Sequence, residues 1–238
     1  MTNGYAVTLQ QLEFSWHQQA PTILSLEMLN VAAGEQVFIE GPSGSGKSTL
    51  LSLLAGVTTP QRGRVEVLGR EISQLSAVQR DHFRAHHIGY IFQQFNLIPY
   101  LSMVENVTLP CRFSPQRRNR ALENAATVEE EALRLLSHLD MADDKMLARP
   151  VTSLSVGQQQ RVAAARALMG SPELLIADEP TSALDSSRRE GFIKLLFEEC
   201  KQTGSTLLFV SHDASLKHLF SRTIHLADIN AAAQVEEE

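Results

Sequence analysis

Three runs along the chain are apolar without a break: Val37-Phe38-Ile39, Leu174-Leu175-Ile176-Ala177, and Leu207-Leu208-Phe209-Val210 after Thr206. A strand with one solvated face alternates. An unbroken run suits a strand buried on both faces, as in a parallel sheet covered by helices. Alternation is present elsewhere: Arg64-Val65-Glu66-Val67-Leu68 alternates and stops at Gly69, and Val7-Thr8-Leu9, Leu12-Glu13-Phe14 and Ile23 to Val31 read as strand. Gly34-Glu35 is a turn, and Ile88 to Phe92 is a further β-rich run. Helical spacing predicts a helix through Thr49 to Ala55, bracketed by Gly56 and Pro60, and another from about Ser187 to Lys201, closed by Gly204. From Val104 to about Arg149 the pattern is helical and polar, with Val128, Ala132, Leu135, Leu136 and Leu139 on one face. Strands alternating with helices predict an α/β fold with a mainly parallel sheet. The boundaries predict one domain over 1–238, with a core of about 5–94 and 154–228 and an inserted helical subdomain of about 95–153.

Composition narrows the function classes. Of 238 residues, 43% are hydrophobic and 20% charged, a balance that supports a packed core rather than disorder. A net charge of −6 argues against nonspecific nucleic-acid binding and against direct adhesion to anionic lipid. Cys111 and Cys200 are too few for a disulfide framework and read as two free thiols. The eight histidines, including His86-His87, lack metal-ligand spacing. Arg117-Arg118-Asn119-Arg120, followed by Glu129-Glu130-Glu131, reads as a solvated helical region, and Glu236-Glu237-Glu238 as a solvated tail. The N-terminal residues lack a secretory signal pattern, and no apolar run approaches the ~18 residues of a membrane span. Any membrane process is therefore expected to draw its membrane part from another chain.

Gly41-Pro42-Ser43-Gly44-Ser45-Gly46-Lys47-Ser48 matches G-x-x-x-x-G-K-[ST] between an apolar strand and a predicted helix, with Thr49 next. Glycines let backbone N–H groups close around phosphate oxygens, and the helix N-terminus adds about half a positive charge. Lys47 is placed for the β- and γ-phosphates and Ser48 for Mg²⁺. Asp178-Glu179 ends the second apolar run. A carboxylate there can hold Mg²⁺ through its water shell, and the next one can orient or deprotonate an attacking water. Leu154-Ser155-Val156-Gly157-Gln158 precedes a helical run from Gln159 to Met169, where Ser155 could be no more than a helix cap.

That pentapeptide resembles the ABC signature Leu-Ser-Gly-Gly-Gln, and residues 5 to 228 resemble an ABC transporter nucleotide-binding subunit. The resemblance implies an ABC ATPase fold: a P-loop core, an antiparallel β subdomain and an inserted helical subdomain. It also implies roles for further residues. Trp16 matches the aromatic residue that stacks on adenine, Gln93 the glutamine that touches Mg²⁺ and the attacking water, and His212 the histidine that contacts the γ-phosphate. Ser182-Ala183-Leu184-Asp185 matches the loop that communicates across a dimer. Glu179 would be the catalytic base, with Lys47, Gln93 and His212 beside it in the reaction. Mg²⁺ would be met by Ser48, Gln93 and, through water, Asp178.

The segment Gly89 to Val107 is similar to the lipoprotein-releasing and macrolide-exporter ATPases. This implies ATP and Mg²⁺ as cofactors, an ATP-dependent homodimer joined head to tail, and a membrane permease on another chain. The chain would then sit peripherally on the cytoplasmic face of the inner membrane, with no nucleic-acid partner. A regulatory ATPase of the cell-division type, signalling through a membrane partner without moving a substrate, shares all these residues. ABC ATPases of DNA repair or the ribosome carry long coiled-coil insertions or two ATPase domains per chain, and neither pattern is present. The one departure from the signature is Val156 in place of glycine. With every other motif intact, position 156 is expected at negative φ, with its side chain turned away from the nucleotide.

Overall fold

The computed structural model describes residues 4–17, 19–141, 149–182, 184 and 186–234. Asp185 and Ala183 of the predicted dimer loop and the Glu236–Glu238 tail lie outside the described residues. The chain divides into two compact units, one of residues up to Arg84 together with those from Thr206 on, the other of Ala85–Ser205.

The first unit holds an antiparallel sheet in the order β2-β1-β4-β5, built from β1 (Tyr5–Phe14), β2 (Leu24–Ala32), β4 (Arg62–Val67) and β5 (Arg70–Glu71). Its register sets Leu9 opposite both Leu29 and Val65, so the alternate apolar positions of three strands meet on one buried face. The unit also holds β3 (Gln36–Glu40), paired in parallel with β8 (Thr206–Ser211) and β9 (Arg222–His225). Phe38 pairs with Phe209 across this ladder, and Phe220 packs on both rings with centroids 5.2 Å away. Every residue of β8 is buried, which is why its sequence runs apolar without alternation. Helix α1 (Lys47–Leu54) follows β3 and buries Leu50, Leu51, Leu53 and Leu54. Helix α2 (Ala77–His87) supplies Arg80 Nε to Gly56 O and Arg84 Nη1 to Ala55 O, meeting carbonyls at the end of α1. A four-residue helix, α8 (Leu226–Ile229), follows β9.

In the second unit β6 (Ile88–Ile91) pairs in parallel with β7 (Leu174–Asp178). Around them are α3 (Met103–Phe113), α4 (Pro115–Asn124), α5 (Val128–His138), α6 (Val156–Leu168) and α7 (Ser186–Thr203). Parallel pairing in both units and the antiparallel sheet of the first agree with the α/β reading. Among the described residues the helical pattern after Val104 holds α3, α4 and α5, separated where side chains punctuate it. Ser102, Ser114 and Thr127 each accept a backbone N–H at the start of the next helix. The face read from periodicity is the packed one in α5, where Ala132, Leu135 and Leu136 are buried. Glu131 and Glu199 are also buried there, and one guanidinium, Arg134, bonds both carboxylates.

The basic cluster is only partly solvated. Arg118 and Asn119 are exposed as expected, but Arg117 is only 3% exposed and donates to Met169 O, Ile88 O and Ala167 O. Adjacent helical residues point about 100° apart, so neighbours of identical chemistry can lie one inside and one outside.

One buried group stands out on α6. Gln160 is fully buried, and neither amide atom has a hydrogen-bond partner among the described residues. An unsatisfied buried amide costs about 1–3 kcal/mol. Gln160→Met, close in shape and free of that demand, is expected to raise unfolding free energy by about that amount in urea titrations. Destabilisation by the same substitution would mean that the amide is hydrogen-bonded in solution.

Candidate functional site

Each unit carries its own set of the residues singled out by sequence: Trp16, 41–49 and His212 in the first, Gln93, 155–158, Asp178 and Glu179 in the second. In the first unit β3 ends at Glu40, the loop occupies 41–46, and α1 begins at Lys47. Gly46 is the N-cap residue of α1 at φ 93°, and a Cβ there would lie 2.7 Å from Leu24 Cδ2, so only glycine fits. No side chain caps α1 and no acidic residue lies in its first turn. The helices α3, α4, α5 and α6, by contrast, are all capped by a hydroxyl. The N–H groups at the start of α1 therefore receive no side-chain cap among the described residues. Lys47 Nζ donates to Gly41 O at 2.6 Å and Pro42 O at 2.7 Å, which holds a buried ammonium inside the loop. Ser48 is exposed.

Beside this loop a cavity of about 320 Å³ is lined by Glu40, Gly41, Pro42, His212, His225, Ala227 and Asp228. Glu40 and His225 are register partners on β3 and β9, and their side chains pair at 3.3 Å. His212 follows β8 directly and is exposed. Larger cavities of about 570 and 560 Å³ elsewhere touch none of the predicted site residues, so cavity size does not mark the chemistry here. Trp16 lies two residues beyond β1 and is 52% exposed. Phe14 meets it edge-on, with centroids 5.1 Å apart and planes at 85°.

In the second unit Asp178 ends β7 and Glu179 follows in the left-handed region, at φ 48°. That conformation costs a non-glycine residue on the order of 1–2 kcal/mol and persists only where surroundings impose it, often at functional positions. Tyr90 on β6 bonds the Asp178 side chain. Burial, with the neighbouring Asp178 carboxylate, pushes its phenol well above the usual tyrosine range, so it remains a donor. Tyr90 also stacks on Phe92, with centroids 4.2 Å apart. Gln93 follows Phe92 and is exposed on the turn that continues β6. Beyond it, Phe95 and Asn96 take positive φ, and Arg166 of α6 donates to both of their carbonyls, at 2.5 and 2.6 Å. Sequence reading did not find Tyr90 or Arg166, since neither stands in a motif spacing.

Ser155 is the N-cap of α6, in a capping box: its Oγ accepts from Gln158 N, and Gln158 Oε1 accepts from Ser155 N. Val156 is thus the first helical residue. Its backbone stays outside the left-handed region and its side chain is exposed. Glycine is not required by the backbone at this point.

Residues 26–182 match the family profile described as ABC transporter. The chain belongs to the ABC transporter family. It is 40% identical over 202 residues to the uncharacterized ABC transporter ATP-binding protein MJ0796 of Methanocaldococcus jannaschii, covering 84% of this chain and 83% of that protein. It is 37% identical over 209 residues to the macrolide export ATP-binding/permease protein MacB of Rhodopirellula baltica, covering 88% of this chain but 30% of that protein. The chain therefore spans less than a third of the length of that relative. The dimeric structure of MJ0796 in a post-hydrolysis state bound to ADP and Pi resembles it with a TM-score of 0.78 at 36% identity, covering 92% of this chain and 93% of that one. The ABC ATPase fold expected from the motifs is the fold of this chain.

Two substitutions test these local readings. If the exposed Trp16 ring stacks on adenine, Trp16→Ala removes a face worth about 1–3 kcal/mol and the KM for ATP should rise about tenfold, while Trp16→Tyr should change it little. Equal behaviour of the two variants would reduce Trp16 to a packing residue. Val156→Gly should leave steady-state phosphate release within a few-fold of the parent, because no backbone strain at 156 is relieved. A large gain in rate would instead identify valine as a brake.

Proposed function

We propose that the chain is an ATP-hydrolysing subunit that pairs with a second copy around two ATP molecules and drives an export permease carried on another chain. The observation that carries this reading is the uncapped N-terminus of α1 behind a fully matched phosphate loop, with Lys47 already held within it. Family membership and the ADP- and Pi-bound dimer of MJ0796 support ATP as the nucleotide and pairing as the working state. The name of the macrolide export relatives supports export. No helix among the described residues is long and apolar enough to cross a membrane, which fits a peripheral place on the cytoplasmic face through the permease.

The chemistry follows from the side chains. Backbone N–H groups of 41–49 and the Lys47 ammonium hold the phosphates. Mg²⁺ takes hard oxygen donors, and the exposed Ser48 hydroxyl, the Gln93 amide oxygen and the Asp178 carboxylate fit it, the last acting through water. When bound, the ion neutralises charge gathering on the β- and γ-phosphates. Tyr90 keeps Asp178 in one orientation. Glu179 takes the proton of the attacking water, His212 contacts the γ-phosphate, and Trp16 stacks on adenine. The N-terminus of α6, with Ser155, Val156, Gly157 and Gln158, faces the partner's nucleotide, and Asp185 belongs to the dimer contact.

Glu179→Gln keeps the shape and removes the base. It should retain ATP binding, lower steady-state hydrolysis by about 10²-fold or more, and accumulate as an ATP-bound dimer in size-exclusion chromatography. Near-normal turnover would exclude Glu179 as the base and leave the strained strand end without a catalytic role.

A further inference from the structure

The buried guanidinium of Arg117 joins three segments. Nε donates to Met169 O at 2.7 Å, Nη2 to Ala167 O at 2.6 Å and Nη1 to Ile88 O at 3.3 Å. Ala167 and Met169 lie at the C-terminal end of α6, where helix carbonyls have no intrahelical donor and the dipole favours a cation. Ile88 is the first residue of β6. Burial lowers the Arg117 pKa to about 10, so the side chain is charged near neutral pH, and among the described residues its guanidinium bonds carbonyls rather than a carboxylate.

The surrounding backbone is shaped to admit this contact. Gly170 sits at φ 69°, and a Cβ there would lie 2.3 Å from Arg117 O and 2.7 Å from Arg117 Cβ. A Cβ on Gly89 would lie 2.3 Å from Ala167 O, so β6 and the end of α6 approach as closely as bare backbone allows. Ser114 orients the arginine from the other side, its Oγ accepting from Arg117 N and bonding His86 Nδ1. The opposite end of α6, about 20 Å away along a 13-residue helix, carries Ser155 to Gln158. The far end of β6 leads to Gln93, and Arg166 of α6 grips the carbonyls just past it.

We propose that Arg117 is a positioning residue for ATP hydrolysis: it fastens the C-terminal end of α6 to β6, so that the Ser155–Gln158 segment and Gln93 are placed by one rigid piece. The assignment rests on the roles given above to Ser155 and Gln93. A side chain that only stabilised the fold would affect stability alone. One that sets placement affects the chemical step while leaving nucleotide binding on the first unit intact.

The test uses the full chain with ATP and Mg²⁺. Arg117→Lys keeps the charge but replaces three donor nitrogens spread over a planar fork by a single point donor, and Arg117→Met removes the charge. The exposed neighbour Arg118→Met is the control, and Ser155→Ala is measured in parallel. Misplacement of about 1 Å costs on the order of 10²-fold in rate, so kcat per folded molecule should fall at least tenfold in Arg117→Met, and less in Arg117→Lys. The KM for ATP should stay within about twofold in both, since uniform binding is untouched. Arg118→Met should match the parent. Turnover per folded molecule that is normal in Arg117→Lys and in whatever fraction of Arg117→Met folds would overturn the inference, provided Ser155→Ala is impaired. If Ser155→Ala also turns over normally, the proposed role of α6 falls and the inference falls with it.

Discussion

A strand covered on both faces favours apolar side chains along its length, because a buried polar group must find a hydrogen-bond partner. That constraint bears on where the proposed chemistry can lie in this protein. β3, β7 and β8 are apolar almost throughout, so the first position at which each can bear a functional side chain is where it ends. β3 ends in Glu40 and the phosphate loop, β7 in Asp178 and Glu179, and β8 in Ser211 and His212. β6, also partly buried, leads to Phe92 and Gln93. The residues proposed for function are scattered over about 170 positions of sequence, yet each set follows the carboxyl end of a parallel strand.

Helix beginnings supply the second half of the design. α3, α4, α5 and α6 are closed by a hydroxyl that satisfies one of their own N–H groups. α1 lacks such a cap and keeps its positive end open. The cap on α6 also explains its valine. Once Ser155 and Gln158 close the capping box, Val156 falls into an ordinary helical conformation, and glycine has no conformational advantage there. A motif residue can therefore depart from its family where the local geometry asks nothing special of it.

Much of this was legible in the sequence. The double-buried strands, the phosphate loop and the packed face of α5 each follow from a pattern with one dominant physical cause. α2 was not legible because Phe83 is its only buried residue, and its helix is held by two arginines reaching carbonyls rather than by an apolar stripe. β9 was not legible because only Ile224 of its four residues is buried. Arg117 was misread because charge in sequence carries no rotational phase: Arg117 and Arg118 are the same residue type one step apart, and only the helix decides which faces inward. Tyr90 and the left-handed backbone of Glu179 depend on a strand pairing and a dihedral angle that no residue type announces.

The ammonium of Lys47, bonded to the carbonyls of Gly41 and Pro42, has a kinetic consequence. These two bonds tie the loop to its own helix, so its curvature is fixed as the chain folds and not when a ligand arrives. In the proposed site a nucleotide would then meet a cradle already held in shape, and its capture would draw less on loop ordering than on encounter and desolvation. The waiting cation also draws an approaching polyphosphate inward. On binding, Lys47 can exchange neutral carbonyl acceptors for anionic ones, turning the brace of the loop into the grip on its ligand.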